Sequence, residues 1–105
     1  MAMFYTYILL CSGGQHKNPD FYIGSTSNLK ERLASHKSKN VSTTKSFDKI
    51  ELVYYEACLS KTDARKRELQ LKTGFGRGYI KRRLEYYLKN KMRNSYSGST
   101  RPSQG

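Results

Sequence analysis

The chain has 105 residues, and its 20 Lys+Arg against 8 Asp+Glu give a formal net charge of +12 at pH 7. That length suits one core of modest depth rather than two domains, and that charge suits a polyanionic partner, nucleic acid before a membrane surface. The 2 cysteines, Cys11 and Cys58, lack metal-ligand spacing and exclude a disulfide framework, so they read as reduced core residues.

No stretch approaches membrane-spanning length, and the N-terminus runs straight into strand-like sequence without a leader, so a cytoplasmic protein is expected. Residues 1–92 read as a single domain and 93–105, rich in Ser, Gly and Pro, as a flexible tail.

Residues 3–11 are aromatic and aliphatic on both faces, with Phe4, Thr6, Ile8 and Leu10 on one side and Tyr5, Tyr7, Leu9 and Cys11 on the other. A strand covered on both faces belongs in the centre of a sheet. Gly13, Gly14, Asn18 and Pro19 then reverse the chain into a strand over 21–24, predicting an antiparallel hairpin whose loop leaves His16 in solvent.

A first helix begins after Asn28, which caps it with Glu31 three residues on. Its apolar stripe is Leu29 and Leu33, and Arg32 and His36 lie at the stripe's edge, facing the sheet. Residues 38–49 form a polar loop, and 50–57 a third strand with Ile50, Leu52 and Tyr54 alternating against Val53, Tyr55 and Ala57.

Residues 60–73 read as a second helix with Ser60 as N-cap and Leu59 placed to staple onto Ala64, ended by Gly74. Glu68 falls in its short apolar row, where a carboxylate needs a partner or a metal. The segment containing Gly74, Gly76 and Gly78 follows a helix rather than a strand and lacks the Gly-Lys-Ser/Thr ending of a phosphate loop, so it reads as a helix stop and turn. A third helix is expected over 79–91, with Ile80, Leu84 and Leu88 inward. The fold class is α/β: a three-stranded antiparallel sheet flanked by helices.

Tyr22, Arg32 and His36 can bring a phenol, a guanidinium and an imidazole into one small volume. Taken singly, each has a simpler reading: strand tyrosines usually pack, and a lone Arg32 or Glu68 usually pairs on the surface. The ordered set is another matter. Tyr5, Thr6 and Tyr7, a hairpin loop, Tyr22-Ile23-Gly24, then Arg32 and His36 on one helix and Glu68 on a later one closely resemble the GIY-YIG nuclease domain, in particular its small standalone bacterial members. Tyr5 stands where the family's first motif has glycine, as in its Tyr-x-Tyr variants, and the asparagine many members carry near the domain's end has no match here.

The resemblance implies that Tyr7 and Tyr22 are the paired active-site tyrosines, Arg32 the phosphate-holding arginine, His36 a helper and Glu68 the ligand of a divalent metal ion, Mg²⁺ or Mn²⁺. The chemistry agrees: phosphodiester hydrolysis needs an activated water, neutralised non-bridging oxygens and a stabilised leaving alkoxide. Arg32 offers the planar fork. Cationic neighbours would favour a Tyr22 phenolate as proton acceptor, with His36 as an alternative base.

Lys30, Lys37, Lys45, Arg77, Lys81 and Arg82 are the candidate backbone-binding cations. The expected function is a metal-dependent endonuclease on DNA with weak sequence preference and room for structural preference, because contacts to the backbone carry no sequence information. The rival reading is a catalytically silent module binding DNA or RNA.

Overall fold

The computed structural model describes residues 2–90. Its elements run β1 (Phe4–Ser12), β2 (Asp20–Thr26), α1 (Leu29–Lys37), β3 (Lys49–Cys58), α2 (Lys61–Leu71) and α3 (Gly74–Arg83). The strands form one three-stranded sheet in the order β2-β1-β3, with both pairings antiparallel. The doubly apolar β1 is central, as its composition requires, because only the middle strand has an element packed on each face and a neighbour on each edge.

The two faces of β1 feed two cores. Tyr7, Leu9 and Cys11 gather with Phe47, Ile50 and the α1 residues Leu29 and Leu33. On the other side Ile8 and Ile23 meet Leu71 of α2 and Ile80 of α3. Burial pushes the Cys11 thiol to about 11, the behaviour of an inert core cysteine. Cys58 is only half-buried, with its thiol directed to the Ser60 carbonyl at 3.2 Å.

Helices α1, α2 and α3 are each capped by a side chain that satisfies an otherwise orphaned N–H group. Asn28 accepts from Glu31 N at 3.0 Å, Ser60 from Asp63 N at 3.2 Å, and Thr73 from Gly76 N at 3.4 Å. The last of these overturns the expected stop and turn at Gly74, Gly76 and Gly78. That segment is the first part of α3, and Leu84 is already its C-cap, so the third helix begins five residues earlier than 79. Helical residues resume at 85–90, and position 91 lies outside the described residues, as does the expected tail.

Close packing explains the glycine: a Cβ at Gly76 would stand 2.0 Å from the Leu71 carbonyl oxygen, so only glycine lets α3 start hard against the end of α2. The second helix closes sooner than position 73, at Leu71, which frees Thr73 to be the cap of the next. Leu59, expected as a staple, is left 61% exposed.

The alternation expected for β3 also fails, for a local reason. Ile8 pairs with Tyr54 and Leu9 with Leu52, so a bulge at Val53 shifts the register. The extra residue flips the downstream side chains. Ile50 and Leu52 face the α1 side, whereas Val53 and Tyr54 both pack on the α2/α3 side. In the hairpin loop Gly13 (φ 84°) and Gly14 (φ 66°) take the left-handed conformation that turns the chain. His16 is exposed there as expected, but it stacks on Phe47 at 3.7 Å and bonds the Ser46 hydroxyl at 2.6 Å.

Candidate active site

Tyr7 reaches the site from the central strand, Tyr22 from the edge strand two residues before Gly24, and Arg32 and His36 from successive turns of α1. All four lie on the α1 face of the sheet. The Tyr7 hydroxyl meets His36 Nε2 at 3.0 Å and accepts a hydrogen bond from Arg32 Nε at 3.3 Å. The His36 ring stands edge-on to both phenols, 4.8 Å from Tyr22 and 5.8 Å from Tyr7 between centroids, and the two tyrosine rings are 6.2 Å apart. Gly24 is what lets Tyr7 lie there, since a Cβ at that position would fall 2.6 Å from the Tyr7 oxygen.

His36 is fully buried and Tyr7 is 1% exposed. Burial, with the Arg32 charge adding to it, lowers the His36 pKa to about 4, so the imidazole is neutral at physiological pH. One ring nitrogen therefore donates and the other accepts. Nδ1 lies 2.9 Å from the hydroxyl of Thr44, a residue only 1% exposed, and that hydroxyl can in turn donate to the Val41 carbonyl at 3.5 Å. The arrangement that uses every proton has Nδ1–H donating to Thr44, which leaves the Nε2 lone pair to accept from the Tyr7 O–H.

Burial pushes the Tyr7 phenol above its usual 10, and the charges of Tyr22 and Glu68 add to this against the opposing hydrogen bond from Arg32. Tyr7 is thus held protonated. The Tyr7 hydroxyl, and less strongly that of Tyr22, raise the Arg32 pKa and so hold the guanidinium charged between the two phenols.

Glu68 lies across the strand from this group. It projects from α2 on the other face of the sheet, 4% exposed, and its Oε1 accepts from the Ser25 hydroxyl at 2.7 Å. Arg65 reaches the same oxygen at 2.8 Å and Lys72 reaches Oε2 at 2.7 Å. Burial disfavours the carboxylate's charge, but the hydrogen bonds from Lys72, Ser25 and Arg65 outweigh it and lower the pKa. Gly24, against the Tyr7 hydroxyl, and Ser25, against Glu68, are consecutive residues of the edge strand. Phenol and carboxylate therefore flank β2 at one level, near enough for Glu68 to be felt by Tyr7.

The donor set decides what Glu68 could hold. Among the described residues no three His, Cys, Asp or Glu gather in the manner of a metal cage. A single carboxylate suits instead a hard, mostly hydrated ion of the Mg²⁺ type, which takes one or two carboxylates and completes its shell with water and substrate phosphate. Glu68 fits that mode, because among the described residues Oε2 has a single partner, Lys72, and that side chain is half-exposed.

The six candidate binding cations do not form one patch. Lys30, Lys37 and Lys45 are exposed on α1 and the loop after it, whereas Arg77, Lys81 and Arg82 are exposed on α3, beyond the other face of the sheet. Arg77 also faces Asp20 at 3.8 Å, at the start of β2. The residue that sequence reasoning missed is Thr44. Nothing in a Ser/Thr/Lys-rich loop marks one threonine as buried, and only the folded loop carries it to His36.

Among solved structures, none matches the chain. The chain is 38% identical over 74 residues to the UPF0213 protein SH2523 of Staphylococcus haemolyticus, a match spanning 70% of this chain and 84% of that protein. It is 34% identical over 70 residues to the UPF0213 protein DP2720 of Desulfotalea psychrophila, covering 65% of this chain and 59% of that relative's length. The GIY-YIG catalytic domain matches residues 3–81, which contain both tyrosines, Arg32, His36 and Glu68. With most of its length inside that match, the chain belongs to the GIY-YIG family of nuclease-type domains.

Proposed function

We propose that the protein is a divalent-metal-dependent endonuclease that hydrolyses DNA phosphodiester bonds with weak sequence preference. One observation carries the reading: a guanidinium held between two phenols, one of them bonded to a buried neutral imidazole, across a single strand from a buried carboxylate. Such a grouping has little value for stability, since it places charges and hydroxyls where apolar side chains would serve.

In this reading Arg32 binds the scissile phosphate through its free N–H groups. Tyr7, kept protonated and tied to His36, fixes the guanidinium from below. Tyr22 is half-buried and faces the same guanidinium, so it can reach a water and accept its proton. Glu68 would hold the cation, which when bound supplies neutralisation of the phosphate and stabilisation of the leaving oxygen. Both described cysteines are free, and the compartment we propose is the cytoplasm.

The test is cleavage of supercoiled plasmid and of branched or nicked oligonucleotides with Mg²⁺ or Mn²⁺, alongside Tyr22→Phe, Arg32→Ala and Glu68→Ala. Nicking that each substitution abolishes supports the proposal. Equal inertness of wild type and variants, with salt-sensitive binding retained, would instead establish a silent nucleic-acid-binding module. That second reading draws on the Glu68 geometry, where Lys72 and Arg65 already neutralise the carboxylate.

A further inference from the structure

A groove of about 470 Å³ opens on the α1 face of the sheet, between the first turn of α1 and β3. Tyr5, Leu52 and Tyr55 form its floor, and Asn28, Lys30 and Leu33 form its wall. Tyr55 is 52% exposed, which is unusual for a large aromatic in the middle of a strand, and its ring is braced by Tyr5 at 5.9 Å and 67°. The open face of Tyr55 is thus a rigid aromatic platform with little rotational freedom left to lose on binding.

The groove's position ties it to the site. Tyr5 precedes Tyr7 by two residues on the same face of β1, about 7 Å along the strand. Tyr55 lies directly opposite Tyr7 in register. The wall belongs to the helix that carries Arg32. Lys30 places a cation at the lip, in a chain of net charge +12.

We propose that this groove receives one unpaired nucleobase of the strand whose phosphate Arg32 holds, stacked on Tyr55 with its sugar-phosphate running past Lys30. The inference rests on the endonuclease reading for its neighbour, the phosphate at Arg32, and deepens it by naming the substrate class. A base inside a duplex shows no face to a protein ring, so the groove selects strands that are already unpaired beside the scissile bond: flaps, branches, frayed ends or single strands. The volume is in the range of small-ligand sites and suits a nucleoside-sized guest. An apolar peptide would gain nothing from the lysine at the lip.

The experiment is equilibrium binding in EDTA, with no cleavage possible, of a short single-stranded DNA carrying one 2-aminopurine, whose fluorescence falls on stacking. Wild type should quench it. Tyr55→Ala should lose the quenching and bind the single strand about 5- to 150-fold more weakly, the usual effect of removing one base-stacking aromatic. Tyr55→Phe, which keeps the ring, should behave as wild type, and binding of a blunt duplex should be unchanged in both variants. Circular dichroism confirms that the variants fold.

Quenching that survives Tyr55→Ala, or equal weakening of single strand and duplex, overturns the proposal. So does a dimer in sedimentation that Tyr55→Ala dissolves, which would assign the groove to a second copy of the chain. Absence of nicking with Tyr55-dependent quenching intact would remove the endonuclease reading and leave the groove standing.

Discussion

Replacing Thr44 by Val tests whether the loop after α1 sets the proton arrangement of the site. The substitution keeps the shape and removes one hydroxyl, the partner of His36 Nδ1 at 2.9 Å in a place where His36 is fully buried and Thr44 is 1% exposed. No water can replace it without opening the core, so the imidazole N–H is left unsatisfied at a cost of about 1–3 kcal/mol. The added methyl returns up to about 0.8 kcal/mol. A net loss of about 1–2 kcal/mol should appear as a lower urea midpoint at unchanged slope. Thr44→Ser should restore most of it.

Stability alone would not separate a positioning role from a packing one. The imidazole ¹⁵N shifts of His36 do: in wild type they should report a proton on Nδ1, and in Thr44→Val a mixture or the other tautomer. With Nε2 protonated, His36 would donate to Tyr7 instead of accepting from it, and Tyr7, already accepting from Arg32, would lose the acceptor for its own proton. Nicking should fall with the tautomer. In a His36→Phe background Thr44→Val should cost little, since the two residues are coupled. A Val variant with wild-type midpoint and a wild-type ¹⁵N spectrum refutes the assignment.

Gly24→Ala should cost about 1–3 kcal/mol by overpacking, because its Cβ would meet Tyr7 Oη at 2.6 Å and Cζ at 2.7 Å, and should abolish nicking while salt-sensitive DNA binding persists. His36 makes folding pH-dependent: its folded pKa, about 4, lies below the ordinary 6.5, so its contribution is complete above pH 6.5 and declines as the pH falls toward 4. The loss amounts to about 3 kcal/mol across that window, and His36→Gln should flatten this limb in acid melts. Glu68→Gln should keep the Ser25 contact and the fold, yet reduce metal-dependent nicking about 100-fold or more, the usual scale for removing one electrostatic element of a site. Lys72→Ala, which frees Oε2, should lower the Mg²⁺ concentration at half-maximal nicking, and an unchanged Mg²⁺ dependence would show that Lys72 does not compete with the cation.

The central strand, the hairpin and the inward set of Arg32 and His36 were legible in the sequence because each is written in a local period. β1 alternates between two apolar sets, and residues four apart on a helix share a face. What was illegible depends on contacts between distant segments. The bulge at Val53 is a register choice made by β1 and β3 together, and it reverses an alternation that looked regular in β3 alone. The start of α3 was hidden because three glycines in five residues signal a break locally. Their use at Gly76 is tertiary: helix ends 2.0 Å from where a Cβ would stand outweigh a propensity cost of about 1 kcal/mol. Thr44 belongs to the same class.

The placement of Glu68 follows from a two-residue device in β2. An edge strand whose residues alternate between faces can serve two sites at one level only if adjacent positions are assigned to opposite partners. Gly24 yields its space to the Tyr7 hydroxyl, and Ser25 offers a hydroxyl to the carboxylate. In the endonuclease reading proposed above, the strand backbone would be the partition between a phosphate-binding side and a cation-binding side. A phosphodiester lying across the β2 edge could meet Arg32 with one oxygen and an ion at Glu68 with another, without either charged group entering the other's core. Shifting β2 by one residue would put either Ser25 against Tyr7 and Thr26 opposite Glu68, or Ile23 against Tyr7 and Gly24 opposite Glu68, disturbing both sides at once. The Tyr-Ile-Gly-Ser register is therefore under double constraint, from the hydrophobic pattern at Ile23 and from the polar pair that flanks it.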